Sequence, residues 1–426
     1  MKTVKFYTLG CKVNQYDTQL IREQFMRAGF RELEDSLPAS VYVINSCTVT
    51  QRADSESLTL IRKARRENPK ARILVTGCLT ELDGDMIKNT YPKATIVKNT
   101  NKKRILDYLP SFVTQKNRSY QEGISFFRGH TRVFLKIQDG CDNHCSYCKV
   151  PLVRGTSRSR PLEKIIREAE RLVSCGFKEI VLTGICLGSY GKDLSGKINL
   201  CTVIDNLEAI DGVLRIRLSS IEAGDISDGL IARISASRKL CPHLHIPLQS
   251  GDDEMLKKMN RRYTGAEYFS LIRKIRAKIP AIAITTDLLV GFPGETEKNF
   301  QNTISLLKKV KPLKTHIFSY SEREGTIASR IGDCNIPKFL IKERFLILKK
   351  ITDELSRFYK KQFLGKKISV LIEGRSKTHP YYWEGYTDNY IKVFIDSEMD
   401  LGNKLVLAKA KTLNNDYLIA KFLAIQ

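Results

Sequence analysis

Residues 140–148 read GCDNHCSYC and place Cys141, Cys145 and Cys148 at C-x3-C-x2-C spacing, directly after the β-prone run RVFLKIQ (132–138). Three thiols cannot pair off evenly as disulfides, and soft thiolates this close together select zinc or an iron–sulfur cluster. A structural zinc takes four protein ligands. No second CxxC or HxxxH half-site follows at the usual distance, and His144 is wedged between two of the cysteines. A four-iron cubane normally takes four thiolates; held by three, it leaves one iron open to an outside ligand. Gly140 allows the backbone to fold close to a bulky group.

Around this loop the chain alternates strands with amphipathic stretches. After 132–138 come EIVLTG (179–184), LRIRLSS (214–220), HLHIPLQ (243–249), IAITTDLLVG (282–291) and THIFSY (315–320). One intervening stretch, PLEKIIREAERLVSCG (161–176), opens on proline and closes on glycine as a helix does. Six βα units predict a full or partial (β/α) barrel with its reactive groups at the C-terminal strand ends. A long charged helix (341–365) follows. The short alternating runs KISVLIEG, YIKVFIDS, NKLVLAKAKTLNND and YLIAKFLAI then predict a small all-β, OB-like barrel over 365–426.

Upstream, VKFYTLG, VYVINS and ARILVTG each precede a helical stretch, which predicts a parallel-sheet α/β domain over 1–110. A polar linker over 111–126 leads to the barrel domain at 127–364. The three upstream strands end on Cys11, Cys47 and Cys78, at intervals of 36 and 31 residues, each about one βαβ unit. Right-handed crossovers bring the carboxyl ends of parallel strands to one edge, so these thiols should converge. A single thiol at a strand end is ordinarily a small hydrophobe. Three at matched positions of one repeat point to a second three-thiolate ligand set.

Composition narrows the class further. With 426 residues, 42% hydrophobic and 27% charged, the chain reads as two or three globular domains. No run reaches the ~18–20 apolar residues that span a bilayer, and MKTVKFYTLGC lacks an apolar signal core. A cytoplasmic location is expected, where eleven cysteines serve as thiols or metal ligands. The net charge of +25 points to a polyanionic partner, nucleic acid ahead of an anionic membrane, although a general basic bias gives the same sum.

The C-x3-C-x2-C loop after a first barrel strand resembles the radical S-adenosylmethionine superfamily. The motifs TLGCKVNQYDT, INSCTVT, TGC, QDGCDNHCSYCKVPLVRGTSRSR, LHIPLQSGDDEMLKKMNRRYT, TDLLVGFPGET and SYSEREGT together resemble, over essentially the whole chain, its methylthiotransferase family. The resemblance implies two 4Fe-4S clusters, one on Cys11, Cys47 and Cys78 and one on Cys141, Cys145 and Cys148. It implies two S-adenosylmethionine molecules per turnover: one gives a methyl group to sulfur on the first cluster, the other binds the open iron of the second and is cleaved to a 5′-deoxyadenosyl radical. It further implies a C-terminal TRAM module that binds RNA, a tRNA anticodon stem-loop as substrate, and a flavodoxin or ferredoxin as electron donor. GCKVNQYDT, NSCTVTQRADS and QDGC look like the branch that converts a C2–H of threonylcarbamoyladenosine at tRNA position 37 to C–S–CH3. Isopentenyladenosine and a ribosomal-protein aspartate are the alternatives, and a zinc-stabilised RNA-binding protein is the non-catalytic one.

Strand-end loops supply the candidate contacts to S-adenosylmethionine: Gly184 in TGICLG, Ser220 and Glu222 in SSIE, Gln249 in LQSG and Gly291 in GFPGET. Such loops also make plain turns. Arg154 and Arg158 (with Arg160), and Arg261 and Arg262 beside Lys257 and Lys258, are the candidate RNA contacts, weighed against an ordinary solvated face. The aromatics of HPYYWEGYTDNY (379–390) could stack bases or fill a core. Cys186 stands where the related branch usually has histidine, which puts any specific role there in doubt and leaves an oxidation-prone bystander. Cys175, Cys201, Cys241 and Cys334 have no ligand spacing.

Overall fold

The computed structural model describes residues 2–34, 37–113, 122–331 and 336–426. Part of the predicted linker (114–121) and Cys334 lie outside the described residues.

The chain begins with a five-stranded parallel sheet ordered β2-β1-β3-β4-β5, formed by β1 (Thr3–Thr8), β2 (Arg31–Glu32), β3 (Val41–Ser46), β4 (Arg72–Gly77) and β5 (Ala94–Ile96). The central strand, VYVINS, is buried at all six positions, as its β-branched run requires of a strand covered on both faces. Helix α1 (Lys12–Arg27) follows β1 at once and packs Ile21 and Phe25 against Val4, Val41 and Val43. Helix α2 (Gln51–Glu67) is capped by the Thr50 side chain, which accepts from Ala53 N–H. The ends of β3 and β4 approach so closely that a Cβ on Gly77 would fall 2.3 Å from the Ser46 carbonyl oxygen; its φ of +104° also demands glycine.

Six parallel strands form the second unit: β6 (Arg132–Lys136), then, after a two-stranded ribbon of β7 (Gln138–Asp139) and β8 (Arg158–Ser159), β9 (Glu179–Thr183), β10 (Arg215–Leu218), β11 (His243–His245), β12 (Ala283–Val290) and β13 (Lys314–Ser319). They run as β10-β9-β6 and β11-β12-β13, joined by parallel bridges Ile216–Leu240 and Ser220–His245. The result is an open (β/α)6 barrel in sequential strand order. Alternate residues such as Val133, Leu135, Ile180, Leu182, Ile216, Leu244, Ile246 and Ile284 enter the main core under the helices. The opposite parity faces the lumen. There the chain places Arg132, Glu179, Arg217, His243, His245, Thr285, Asp287 and His316, so this lumen is polar where a closed barrel is ordinarily packed with branched apolar side chains. Tyr16 and Leu20 of α1 belong to the same core as the barrel, which fixes the first domain against it.

The last unit is a closed barrel ordered β14-β15-β16-β18-β17, from β14 (Lys367–Arg375), β15 (Tyr382–Thr387), β16 (Lys392–Asp396), β17 (Leu405–Asn414) and β18 (Tyr417–Ile425). Four of these runs are those expected. The fifth, β15, lies inside HPYYWEGYTDNY, whose rings the sequence left between base stacking and core. Trp383 is in the barrel core, and Arg375 lies 4.2 Å from its ring centroid. Tyr390 faces Arg217 at 4.4 Å and Arg132 at 5.2 Å, while Tyr381, at 84%, and His379 are exposed. Arg217 donates to the carbonyls of Asp388 (2.8 Å) and Thr387 (3.2 Å), and Arg215 to those of Tyr386 (3.1 Å) and Ser369 (2.8 Å). The small barrel is therefore docked onto the N-terminal end of the β-strands, where it closes the lumen floor.

Candidate active site: two three-thiol sets and a polar lumen

Cys141, Cys145 and Cys148 lie in one loop at the C-terminal end of the first barrel strand. A Cβ on Gly140 (φ +79°) would fall 1.9 Å from the Thr156 carbonyl oxygen, so the turn into this loop requires glycine. Ser146 N–H donates to Met259 O, and Asn260 Nδ2 to His144 O at 2.7 Å, anchoring the loop to the 252–262 segment. Each sulfur accepts a hydrogen bond at 3.4 Å: Cys141 from Asn143 N–H, Cys148 from Val150 N–H, and Cys145 from Arg261 Nη1. Burial pushes the Cys148 thiol up to about 12 and the Cys145 thiol upward against the pull of Arg261. Cys141 is lowered to about 7, chiefly by a hydrogen bond from Cys186.

Cys11, Cys47 and Cys78 end β1, β3 and β4 and meet at one sheet edge. Cys47 feels the charge of both others and Cys78 that of Cys11, and a Cβ on Gly10 would fall 2.8 Å from Cys47 Sγ. Asn14 ties the edge together by donating to the carbonyls of Leu9 (2.8 Å) and Ser46 (2.9 Å). Burial raises the Cys47 thiol to about 11. It raises Cys78 too, opposed by Arg154 and Lys102.

The donor sets fit iron–sulfur clusters. Each set has two thiols raised by burial, Cys47 and Cys78 in one and Cys145 and Cys148 in the other, with a guanidinium beside it, and its thiols would become thiolates when a cationic centre replaces their protons. Among the described residues, the imidazoles and carboxylates that come close enough together to hold a metal ion, His245, Asp287 and His316, lie in the barrel lumen and include no cysteine.

The five candidate S-adenosylmethionine contacts all fall at C-terminal strand ends, with different surroundings. Glu222 sits beside the loop, ion-paired to Arg261 and raised by burial. A Cβ on Gly184 would meet Gln138 Oε1 at 2.9 Å. Ser220 bridges to His245. Gln249 adopts φ +68°, its N–H donating to Asp287 O and its carbonyl accepting from Leu289 N–H. Gly291 is buried against Ile341, and its N–H donates to Glu295.

Two of the four arginines expected at RNA are elsewhere. Arg154 is 6% exposed and bridges the two α/β units: it donates to Asp139 at 2.9 and 3.1 Å and to Asn14 at 2.5 Å, and lies 3.5 Å from Asp17. Lys102 (3.0 Å) and Lys136 (2.5 Å) also hold Asp17, and these cations keep its carboxyl far below the usual range despite burial. Arg261 points inward at Glu222 and Cys145. Both corrections have one cause: their acidic partners lie far away in sequence. Arg158 and Arg262 are exposed. A cavity of about 820 Å³ opens between the first domain and the barrel, lined in part by Arg158, Arg160, Lys103 and Lys164.

Cys186 is not a bystander in position. Its thiol is buried against Cys141 and accepts from Asn143 Nδ2 at 3.6 Å. The lumen ionisables were missed by the sequence reading. His245 pairs with Asp287 (3.1 Å) and Thr285 (2.9 Å), and His243 with Thr285 (3.1 Å). Their signal was available as inward parity on β11, β12 and β13.

Fold and loop together define a radical S-adenosylmethionine enzyme. Residues 135–307 match the radical SAM superfamily, and residues 3–98 match uncharacterized protein family UPF0004. In fold the chain is similar to the radical S-adenosylmethionine methyltransferase TsrM from Kitasatospora setae (TM-score 0.55, 13% identity, 75% of each chain). In sequence it is 38% identical to threonylcarbamoyladenosine tRNA methylthiotransferase MtaB of Bacillus subtilis, covering 98% of this chain and 95% of that one. It is 39% identical to the same enzyme of Thermotoga maritima (95% and 93%) and 35% identical to tRNA-2-methylthio-N(6)-dimethylallyladenosine synthase of Clostridium novyi (96% and 94%). The chain belongs to the methylthiotransferase family, in its MtaB-like branch. No described helix is long and apolar enough to cross a membrane.

Proposed function

We propose that this chain methylthiolates C2 of N6-threonylcarbamoyladenosine at position 37 of tRNA, giving the 2-methylthio derivative. The observation that carries the reading is the pair of three-thiol sets on two different folds, in a chain similar over nearly its full length to enzymes named for that reaction. The C2–H of adenine is neither acidic nor a leaving group, so acid and base side chains alone cannot replace it. Cys141, Cys145 and Cys148 would hold one 4Fe-4S cluster and Cys11, Cys47 and Cys78 the other. When bound, with two S-adenosylmethionine molecules per turnover and an electron from a flavodoxin or ferredoxin, these groups supply the one-electron chemistry and the sulfur.

The chain's own residues do the placing. Arg261 holds a positive charge against Cys145 while Glu222 fixes its guanidinium. Arg154 and Lys102 do the same beside Cys78. Gln138, at the end of the first barrel strand, donates to Gly140 O (2.8 Å) and Ser157 Oγ (2.9 Å) and accepts from Cys186 N–H (2.9 Å), locking the loop against the second strand. Exposed Arg158 and Arg262 would meet tRNA phosphates.

Reconstituted protein should carry about eight irons per chain. Cys145→Ala and Cys47→Ala should each lose about half of them, and zinc alone in the wild type would overturn the reading. Nucleosides from a deletion strain should lack the 2-methylthio derivative of threonylcarbamoyladenosine. Loss of the dimethylallyl derivative instead would favour the activity named for the Clostridium novyi relative.

A further inference from the structure

One segment of chain grips the turns that carry both thiol sets. Residues 320–328 (YSEREGTIA) leave the end of β13 and contact the first domain and the cysteine loop alike. At the far end, Ala328 N–H donates to Ser146 O at 2.7 Å, next to Cys145. Ala328 and Tyr320 also share one apolar cluster with Tyr147, which lies between Cys145 and Cys148, and with Phe292, whose ring meets Tyr320 edge to face at 5.5 Å. At the near end, Arg323 Nη2 donates to Thr48 Oγ1 at 2.8 Å and to Asp54, while Ser321 Oγ accepts from Gln51 N–H at 3.2 Å. Thr48 follows Cys47 directly, and Gln51 and Asp54 belong to the first turn of α2, so three contacts converge on the turn after Cys47. The spacer between the two grips is closed on itself: Thr326 N–H and Oγ1 both donate to Arg323 O, at 3.2 and 2.7 Å, and Gly325 takes φ +84°. A spacer this short and tied passes a displacement on instead of absorbing it.

Arg323 is 5% exposed, and its pair with Asp54 is a poor source of stability. Arg323 Nε and Asp54 Oδ1 are both buried without a hydrogen-bond partner among the described residues. Apolar side chains of similar volume are often at least as stable as a buried ion pair, so a pair left half-satisfied fits a role in fixing geometry. Geometry is what the chemistry needs. On the function proposed above, which this inference rests on, one thiol set serves the sulfur and the other the radical, and both must meet one carbon. We propose that Arg323 is a positioning residue: it holds the Cys47 turn in register with the Cys145 loop and so couples radical formation to C–S bond formation. Arg154 makes the tie at Asn14 and Asp17, on the helix that follows Cys11; Arg323 makes the one at the turn that follows Cys47. Without Arg323 that turn loses its charged tie, and the radical forms while the sulfur stands out of reach.

The test uses full-length protein reconstituted with iron and sulfide, an anticodon stem-loop carrying threonylcarbamoyladenosine, and dithionite as reductant. Iron per chain, 5′-deoxyadenosine and the methylthio nucleoside are measured together. Arg323→Gln should keep about eight irons and form 5′-deoxyadenosine as wild type does, its radical taking a hydrogen atom from another donor. The methylthio nucleoside made per 5′-deoxyadenosine should fall by about tenfold to a hundredfold, the effect of a small misplacement of reacting groups. Arg323→Lys should restore part of that ratio, and Asp54→Asn should lower it less than Arg323→Gln does. In RNA-free protein, hydrogen exchange of Arg323→Gln should speed up over 48–54 and 320–323 and stay unchanged over 145–148. A ratio equal to wild type, unchanged exchange over 48–54, or iron lost along with both products overturns the role of Arg323. If Arg323→Gln does not fold, Asp54→Asn and Arg323→Lys decide it on the same ratio. Wild type that acts only on a dimethylallyladenosine stem-loop overturns the substrate reading instead, and the ratio measured on that RNA still decides the role of Arg323.

Discussion

Replacing Arg154 with methionine removes the tie between the two α/β units while keeping an unbranched side chain. Truncating one member of a buried ion pair costs about 3–5 kcal/mol when the partner is left bare. Here neither carboxylate is: Asp17 keeps Lys102 at 3.0 Å and Lys136 at 2.5 Å, and Asp139 keeps Lys136 at 3.1 Å. Asn14 Oδ1 does lose its donor, worth about 1–3 kcal/mol. The low end of the first range, about 3 kcal/mol, follows, or a fall in melting temperature of roughly 6 °C. The network holds three cations, Lys102, Lys136 and Arg154, against two carboxylates, Asp17 and Asp139, and the surplus charge faces Cys78 and Cys11. Arg154→Met should therefore also lower iron incorporation at the Cys11, Cys47 and Cys78 set, read by iron analysis in a Cys145→Ala background. The logarithmic salt dependence of tRNA binding should not change, because that slope counts phosphate contacts. An unchanged melting temperature with a slope reduced by about one would refute the placement and return Arg154 to the RNA surface.

The exposed arginines should behave in the opposite way. Arg262→Gln should leave the melting temperature within about 1 °C while reducing the salt slope by about one, measured by filter binding across potassium concentrations. His243 carries a pH prediction. Burial holds its pKa well below the ordinary 6.5, with Arg217, His245, Lys12 and Arg132 adding to the effect. Below pH 6.5 the unfolded chain binds a proton that the folded one refuses, so stability is full above that pH and falls as the pH drops. Between pH 6.5 and 5.5 this costs about 1 kcal/mol, and His243→Gln should flatten that part of the urea-stability profile by the same amount. A parallel shift with no change of slope would count against a neutral His243. Tyr390→Ala removes a ring held over Arg217 and Arg132 and should loosen the terminal barrel, seen as faster protease cleavage between the long helix and β14. Unchanged cleavage would mean that the arginine-to-carbonyl bonds alone hold the dock.

The six barrel strands were legible because each is a short apolar run followed by a glycine- or serine-bearing loop, and the two thiol trios because spacing along one loop, or at matched points of one repeat, is a local property. What escaped was decided between distant segments. Arg154 sits in an arginine-rich stretch that looks solvent-facing until Asp17, 137 residues earlier, is seen against it. Strand β15 escaped because YWEGYT, flanked by proline and aspartate, has the composition of a turn, and only pairing with β14 and β16 makes it extended. The lumen charges escaped for another reason: on parallel strands covered by helices one face is always apolar, and those residues carried the strand assignment while His243, His245 and Asp287 on the other face passed as interruptions.

The lumen also ties the central barrel to the terminal one. Its wall is the central barrel, and the terminal barrel supplies Tyr390 from below. Arg217 joins the two: it neutralises Glu179, stacks on Tyr390 and donates to the carbonyls of Thr387 and Asp388. An Arg217 left without the terminal barrel would lose two hydrogen bonds and a ring but keep its ion pair with Glu179 at 2.7 Å. Docking of the terminal barrel therefore gives Arg215 and Arg217 the carbonyl partners that the central barrel does not supply, and so ties the lumen floor to the last domain.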